Sequence, residues 1–99
     1  MKNEIRIVNT ENGLRLEVYG EFTMATTENI KKELIASVSR EGNEVLDLTN
    51  ASVMDVVGIQ LTYAWKKALN NNQRKGIVMF PESENIKDLF AKTGVTSIF

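Results

Sequence analysis

The stretch Asp47-Leu48-Thr49-Asn50-Ala51-Ser52-Val53-Met54-Asp55-Val56-Val57-Gly58 decides the fold. Its leading half continues Val45-Leu46-Asp47-Leu48, a short apolar run that comes after the turn signal Gly42-Asn43, as a strand buried on both faces or nearly so would. Its trailing half opens a helical pattern from about Val57 to Leu69, with Asp55 placed to cap the helix. The residues from Thr49 to Asp55 read as a short loop between the two. A strand that runs through a loop into a helix tip is the usual place for a small α/β domain to carry its function.

Working outward, Ile5, Ile7 and Val8 form a short strand, and Leu14, Leu16 and Val18 alternate with Arg15, Glu17 and Tyr19. Asn12-Gly13 between them reads as a hairpin turn. The hydroxyl residues from Thr23 to Thr26 are N-cap candidates for a first helix, with Ile30, Leu34 and Val38 as its apolar stripe. Ile77-Val78-Met79-Phe80 is a further strand, also expected to be buried on both faces or nearly so, which Pro81 closes. A last helix from about Ser83 turns Ile86, Leu89 and Phe90 inward and ends at Gly94. A hairpin succeeded by alternating helix and strand implies an α/β fold: one domain over residues 1–99, a mixed β-sheet, and helices packed mainly on one face. Asn70-Asn71-Asn72 reads as a loop, and Ile98 and Phe99 as the start of another strand.

Composition narrows the chemistry. The 99 residues fit one domain. Twelve Lys and Arg against thirteen Asp and Glu, with no block of like charge, argue against a nucleic-acid partner. The absence of Cys and His removes disulfides, thiolate chemistry, the commonest general base and the usual transition-metal ligands, so no metal site and no cofactor are expected. No apolar run approaches the ~18 residues needed to span a bilayer, which points to a cytoplasmic location without direct membrane insertion. No glycine-rich nucleotide loop, Gly-x-Ser-x-Gly elbow or catalytic triad is present, and Asp47 and Asp55 read as structural carboxylates rather than an acid/base pair. The chain reads as a non-enzyme.

On a helical wheel beginning at Val57, the residues Leu61, Ala64, Trp65, Ala68 and Leu69 cluster as a core stripe. Val56, Ile59 and Tyr63 gather on roughly the opposite side. With helices on one face of the sheet, this second face is expected to lie open and to serve as a partner surface.

The stretch from Asp47 to Gly58 resembles the signature of the STAS domain family, named for sulphate transporters and anti-sigma factor antagonists. That pattern is a hydrophobic strand ending in Asp-Leu-Ser/Thr, a short loop, then Asp-Ser-Ser/Ala-Gly. The resemblance extends to Gly20-Glu21-Phe22-Thr23, to the strand at Ile77 and to Leu89 through Gly94. It implies a STAS fold lacking the usual C-terminal helix, and it places Val56 at the family's phosphoacceptor serine. Thr23 stands where kinase-regulated members carry an aspartate. Ser52 and Thr49 remain as neighbouring hydroxyls, whose simpler role is turn formation.

The resemblance therefore implies a non-catalytic regulatory module of the anti-sigma factor antagonist type that is not phosphorylatable at the usual site. Its protein partner, an anti-sigma factor with serine kinase character, would meet Thr49, Ser52, Asp55, Val56, Val57, Gly58, Ile59 and Tyr63. The rival expectation is a STAS accessory subunit on the ATPase of a lipid-transporting ABC system, in which acceptor loss is equally natural. A third is an orphan sensor or a piece of a larger assembly. Self-association as a homo-oligomer through Val56 and Tyr63 would also bury the patch.

Overall fold

A computed structural model describes residues 3–11 and 13–93. Strands β1 (Asn3–Thr10) and β2 (Gly13–Phe22) form an antiparallel hairpin. Helix α1 (Glu28–Val38), strand β3 (Asn43–Met54), helix α2 (Val56–Asn71), strand β4 (Gly76–Met79) and helix α3 (Glu84–Thr93) then alternate. The sheet order is β1-β2-β3-β4, with β2, β3 and β4 mutually parallel. Both parallel crossovers advance in the same direction along the sheet. The common right-handed sense of such crossovers places α1 and α2 on the same face.

The period of two in β2 becomes a division between faces. Leu16, Val18 and Phe22 are fully buried under the helices, while Arg15, Glu17 and Tyr19 line the other face half-exposed. Leu46 and Leu48 of β3, Ile30 and Leu34 of α1, Trp65 and Leu69 of α2, and Ile86 and Phe90 of α3 complete the core. Phe80 and Phe90 meet edge to face, their ring centroids 4.9 Å apart. At the hairpin, Gly13 has φ +136, and a Cβ there would lie 2.0 Å from the Asn43 carbonyl oxygen, so the parallel partner β3 can start alongside only a glycine.

Several sequence expectations need correction. Ile77 and Met79 are exposed, so β4 is an edge strand with one open face rather than a strand buried on both. It ends at Met79, before Phe80 and Pro81. No side chain caps α1, which begins only at Glu28; Met24–Thr26 instead forms a 3₁₀ turn of its own. Asn70 and Asn71 belong to the last turn of α2, and Asn72 is its C-cap. The expectations for Asn12, Gly94, Ile98 and Phe99 lie outside the described residues.

The largest difference falls between Thr49 and Met54, expected as a loop. These residues are strand, paired with β2 as far as Phe22↔Met54. Two register shifts insert extra residues into β3: the pairs Glu17↔Asp47 and Tyr19↔Asn50 bracket one, Gly20↔Ala51 and Glu21↔Val53 the other. Burial along this part of the strand therefore falls on Leu48, Ala51 and Met54, at intervals of three. That spacing removes the alternation by which a strand is recognised, and polar residues fill the intervals.

Candidate functional site

Strands β2 and β3 run parallel and end side by side, so the segments leaving Phe22 and Met54 meet above the sheet. After Phe22 come Thr23 and the 3₁₀ turn; after Met54 come Asp55 and α2. Asp55 has extended backbone (φ -121, ψ -174) and fastens the two pieces together. Its Oδ1 accepts from the Gly58 N–H at 3.0 Å, capping the helix, and its Oδ2 accepts from the Met24 N–H at 2.9 Å. The carboxylate thus faces the positive end of the helix dipole while both its oxygens are engaged. Gly58 is buried because α2 starts directly over the end of β2: an added Cβ would sit 2.3 Å from the Phe22 carbonyl oxygen. The role expected of Asp55 as cap is present.

Around this junction an exposed apolar surface survives. Val56 is 44% exposed at the first helical position, Val53 is 43% exposed, and Met24 in the facing turn is 73% exposed. Val57 is half-buried, while Thr49 and Ser52 are exposed on β3. Thr49 is tied to its own strand, its backbone N–H and its Oγ1 donating to Asp47 Oδ1 at 2.9 and 2.6 Å. Met24 carried no distinguishing signal in the sequence, since one methionine among threonines has no period to betray its exposure.

Ile59 does not belong to this surface. It is fully buried against the core, so the reading of a second, outward apolar face through Val56, Ile59 and Tyr63 fails at its middle member; Tyr63 itself is half-buried. The meridian of α2 that faces the sheet runs through Gly58, Ile59, Thr62, Trp65 and Leu69. Thr62 is fully buried because its Oγ1 donates to the Gly58 carbonyl at 2.9 Å, one turn back. A glycine and a threonine on the core line split the apolar wheel into two flanks, which the sequence shows as two faces. Ala64 and Ala68, expected in the core, instead line the side of a groove between α1 and α2, and Leu61 lines it while packing half-buried against the core.

A second polar cluster lies at the opposite end of the sheet, where β3 begins. Glu44, 1% exposed, pairs with Arg74 in a close charge-assisted hydrogen bond and with Arg40 at 3.7 Å. Burial nevertheless pushes its carboxyl above the ordinary glutamate value, against the pull of both guanidinium groups. Arg74 also donates to the carbonyls of Val38, Gly42 and Ser37 at 2.7, 2.8 and 3.1 Å, and the Trp65 indole N–H donates to Ser37 Oγ at 2.7 Å. This network closes the end of α1 onto β3. Among the described residues, no group of three or more acidic side chains is placed to hold a metal ion, and no helix is long and apolar enough to cross a membrane.

The family model for the STAS domain matches residues 4–99. The chain belongs to the STAS domain family. Solved structures agree at the level of fold. An anti-sigma factor antagonist from Mycobacterium paratuberculosis superposes with a TM-score of 0.82 at 19% identity, covering 99% of this chain and 83% of that one. The anti-sigma factor antagonist SpoIIAA in its unphosphorylated form gives 0.68 at 17% identity over 91% and 82% of the two chains. Phosphorylated SpoIIAA from Bacillus gives 0.71 at 16% identity over 95% and 86%. No curated protein matches by sequence. This STAS domain, with its mixed four-stranded sheet and three helices, therefore shares the fold of these antagonists.

Proposed function

We propose that this STAS domain is a non-catalytic, cytoplasmic regulatory module of the anti-sigma factor antagonist type, which docks on its partner through the junction of β3 and α2. The observation that carries the reading is the exposed Val56 at the helix tip, where the family signature carries its phosphoacceptor serine. A hydrocarbon there accepts no phosphate, so the domain remains permanently competent to bind and its control passes to abundance or location. The contact surface comprises Thr49, Ser52, Val56 and the partly exposed Val57 and Tyr63, with Asp55 and Gly58 as its framework and Ile59 as its buried support. The structure of an unphosphorylated antagonist and that of a phosphorylated one both share this fold, which supports a scaffold that functions with or without the modification.

Incubation with serine kinases copurified from the native cell, in the presence of ATP, tests the proposal. No stoichiometric phosphate is expected on the wild-type domain, whereas Val56→Ser is expected to take phosphate at position 56. Phosphate on the wild-type domain in stoichiometric amount overturns it. Copurification of an ATPase with Walker motifs instead of a kinase-like anti-sigma factor moves the same surface to the ABC-transporter reading.

A further inference from the structure

Between α1 and α2 runs a groove of about 320 Å³ whose walls are almost wholly hydrocarbon. Leu34 and Val38 form one wall, Leu61 and Ala68 the other, and Trp65 forms the floor. Ile35, 60% exposed, and Ala64 stand at the rim. One charged side chain, Lys31, lines it, and the Lys31 ammonium makes no ion pair or hydrogen bond with any described residue. We propose that this groove binds a single-chain amphiphile with an anionic head, a long-chain carboxylate, whose tail lies along Trp65 and whose head pairs with Lys31.

Volume and charge together select this ligand. Small-ligand sites are mostly apolar concavities of roughly 300–1,000 Å³ with a few polar groups that fix orientation. This groove lies at the small end of that range, the size for one extended chain, and it offers a single orienting group of positive sign. A docked protein helix would bring several rows of side chains to a cleft with one cation to set their register. A chain with one terminal anion uses both the apolar walls and the one cation. The tail displaces water from surface that the described residues leave uncovered, and the carboxylate neutralises a lysine at the edge of that surface.

Trp65 is the only tryptophan in the chain, so its fluorescence reports the groove directly. The folded protein is titrated with octanoate, decanoate and dodecanoate below their micellar concentrations. A saturable change is expected, with affinity rising about fourfold per added methylene. Dodecyltrimethylammonium, whose longer apolar chain would otherwise favour it, should bind at least about tenfold more weakly than dodecanoate because its head repels the rim cation. Lys31→Gln should weaken dodecanoate severalfold and leave dodecanol unchanged. Ala64→Phe should fill the groove and abolish both. Ile35→Asp, at an exposed site that folding does not need, should oppose the anion even if the first filler variant misfolds. Absence of a saturable change, equal affinity for the two head charges, or displacement only by an acidic amphipathic peptide overturns the proposal.

Discussion

The Met24 backbone N–H donates to Asp55 Oδ2 at 2.9 Å, across 31 residues of sequence. Through the same carboxylate, whose Oδ1 caps α2 at Gly58, the turn after β2 and the tip of α2 become one rigid corner. The exposed side chains of Met24 and Val56 are therefore held in a fixed relation before any partner arrives, which lowers the ordering cost of docking.

Replacing Asp55 by Ala removes both acceptors. The expected loss is about 1–2 kcal/mol, the size of a lost N-cap plus a second backbone donor left to solvent. Asp55→Asn, which retains one oxygen, should fall between the two. Urea unfolding monitored by circular dichroism measures the series; an Ala variant as stable as wild type would show that the corner is not held this way.

Gly58→Ala sets two effects against each other. Alanine gains up to about 1 kcal/mol in helix propensity. The added Cβ meets the Phe22 carbonyl oxygen at 2.3 Å, and this neighbour is backbone at the end of β2 rather than the tip of a flexible side chain. Overpacking of this kind typically costs about 1–3 kcal/mol, so the variant should be less stable than wild type despite its better helix former. A raised thermal midpoint contradicts the close approach.

Arg74 serves three carbonyls and the buried Glu44 at once. Arg74→Ala leaves Arg40, at 3.7 Å, as the one cation paired with Glu44 and should cost about 3–5 kcal/mol, the usual penalty for stripping one partner from a buried pair. Arg74→Lys keeps the charge but not the fork of donors, and should recover only part of the loss. Denaturant midpoints of the two variants distinguish charge from geometry.

The raised Glu44 carboxyl has a definite sign in the pH dependence of stability. Its folded value lies above the unfolded reference of 4.5. The folded state holds the proton more tightly, so the stabilisation is complete below about 4.5 and is lost as pH rises through the folded value. Other carboxylates contribute their own slopes, and the difference between wild type and Glu44→Gln isolates this one. Across that window, the stability of wild type relative to the variant should decline with rising pH and then level off. A difference that grows with pH would mean that the two arginines, not burial, dominate.

Sequence alone determined the elements whose signals are local. The alternation of Leu14, Leu16 and Val18 marked β2, and the hairpin, the mixed sheet with its one-sided helical layer and the Asp55 cap all came from residue type and order. Tertiary structure alone decided which meridian of α2 faces the sheet. Thr62 satisfies its own hydroxyl and Gly58 has no side chain, so neither advertises burial, and Ile59 went inward where its apolar neighbours had suggested outward. It also decided that Thr49 to Met54 is strand, because the pairing of β2 with β3 absorbs two extra residues and erases the period of two. Period and capping are properties of a few neighbouring residues. The direction a helix faces and the register of two strands are fixed only when separate elements compete for the same buried space.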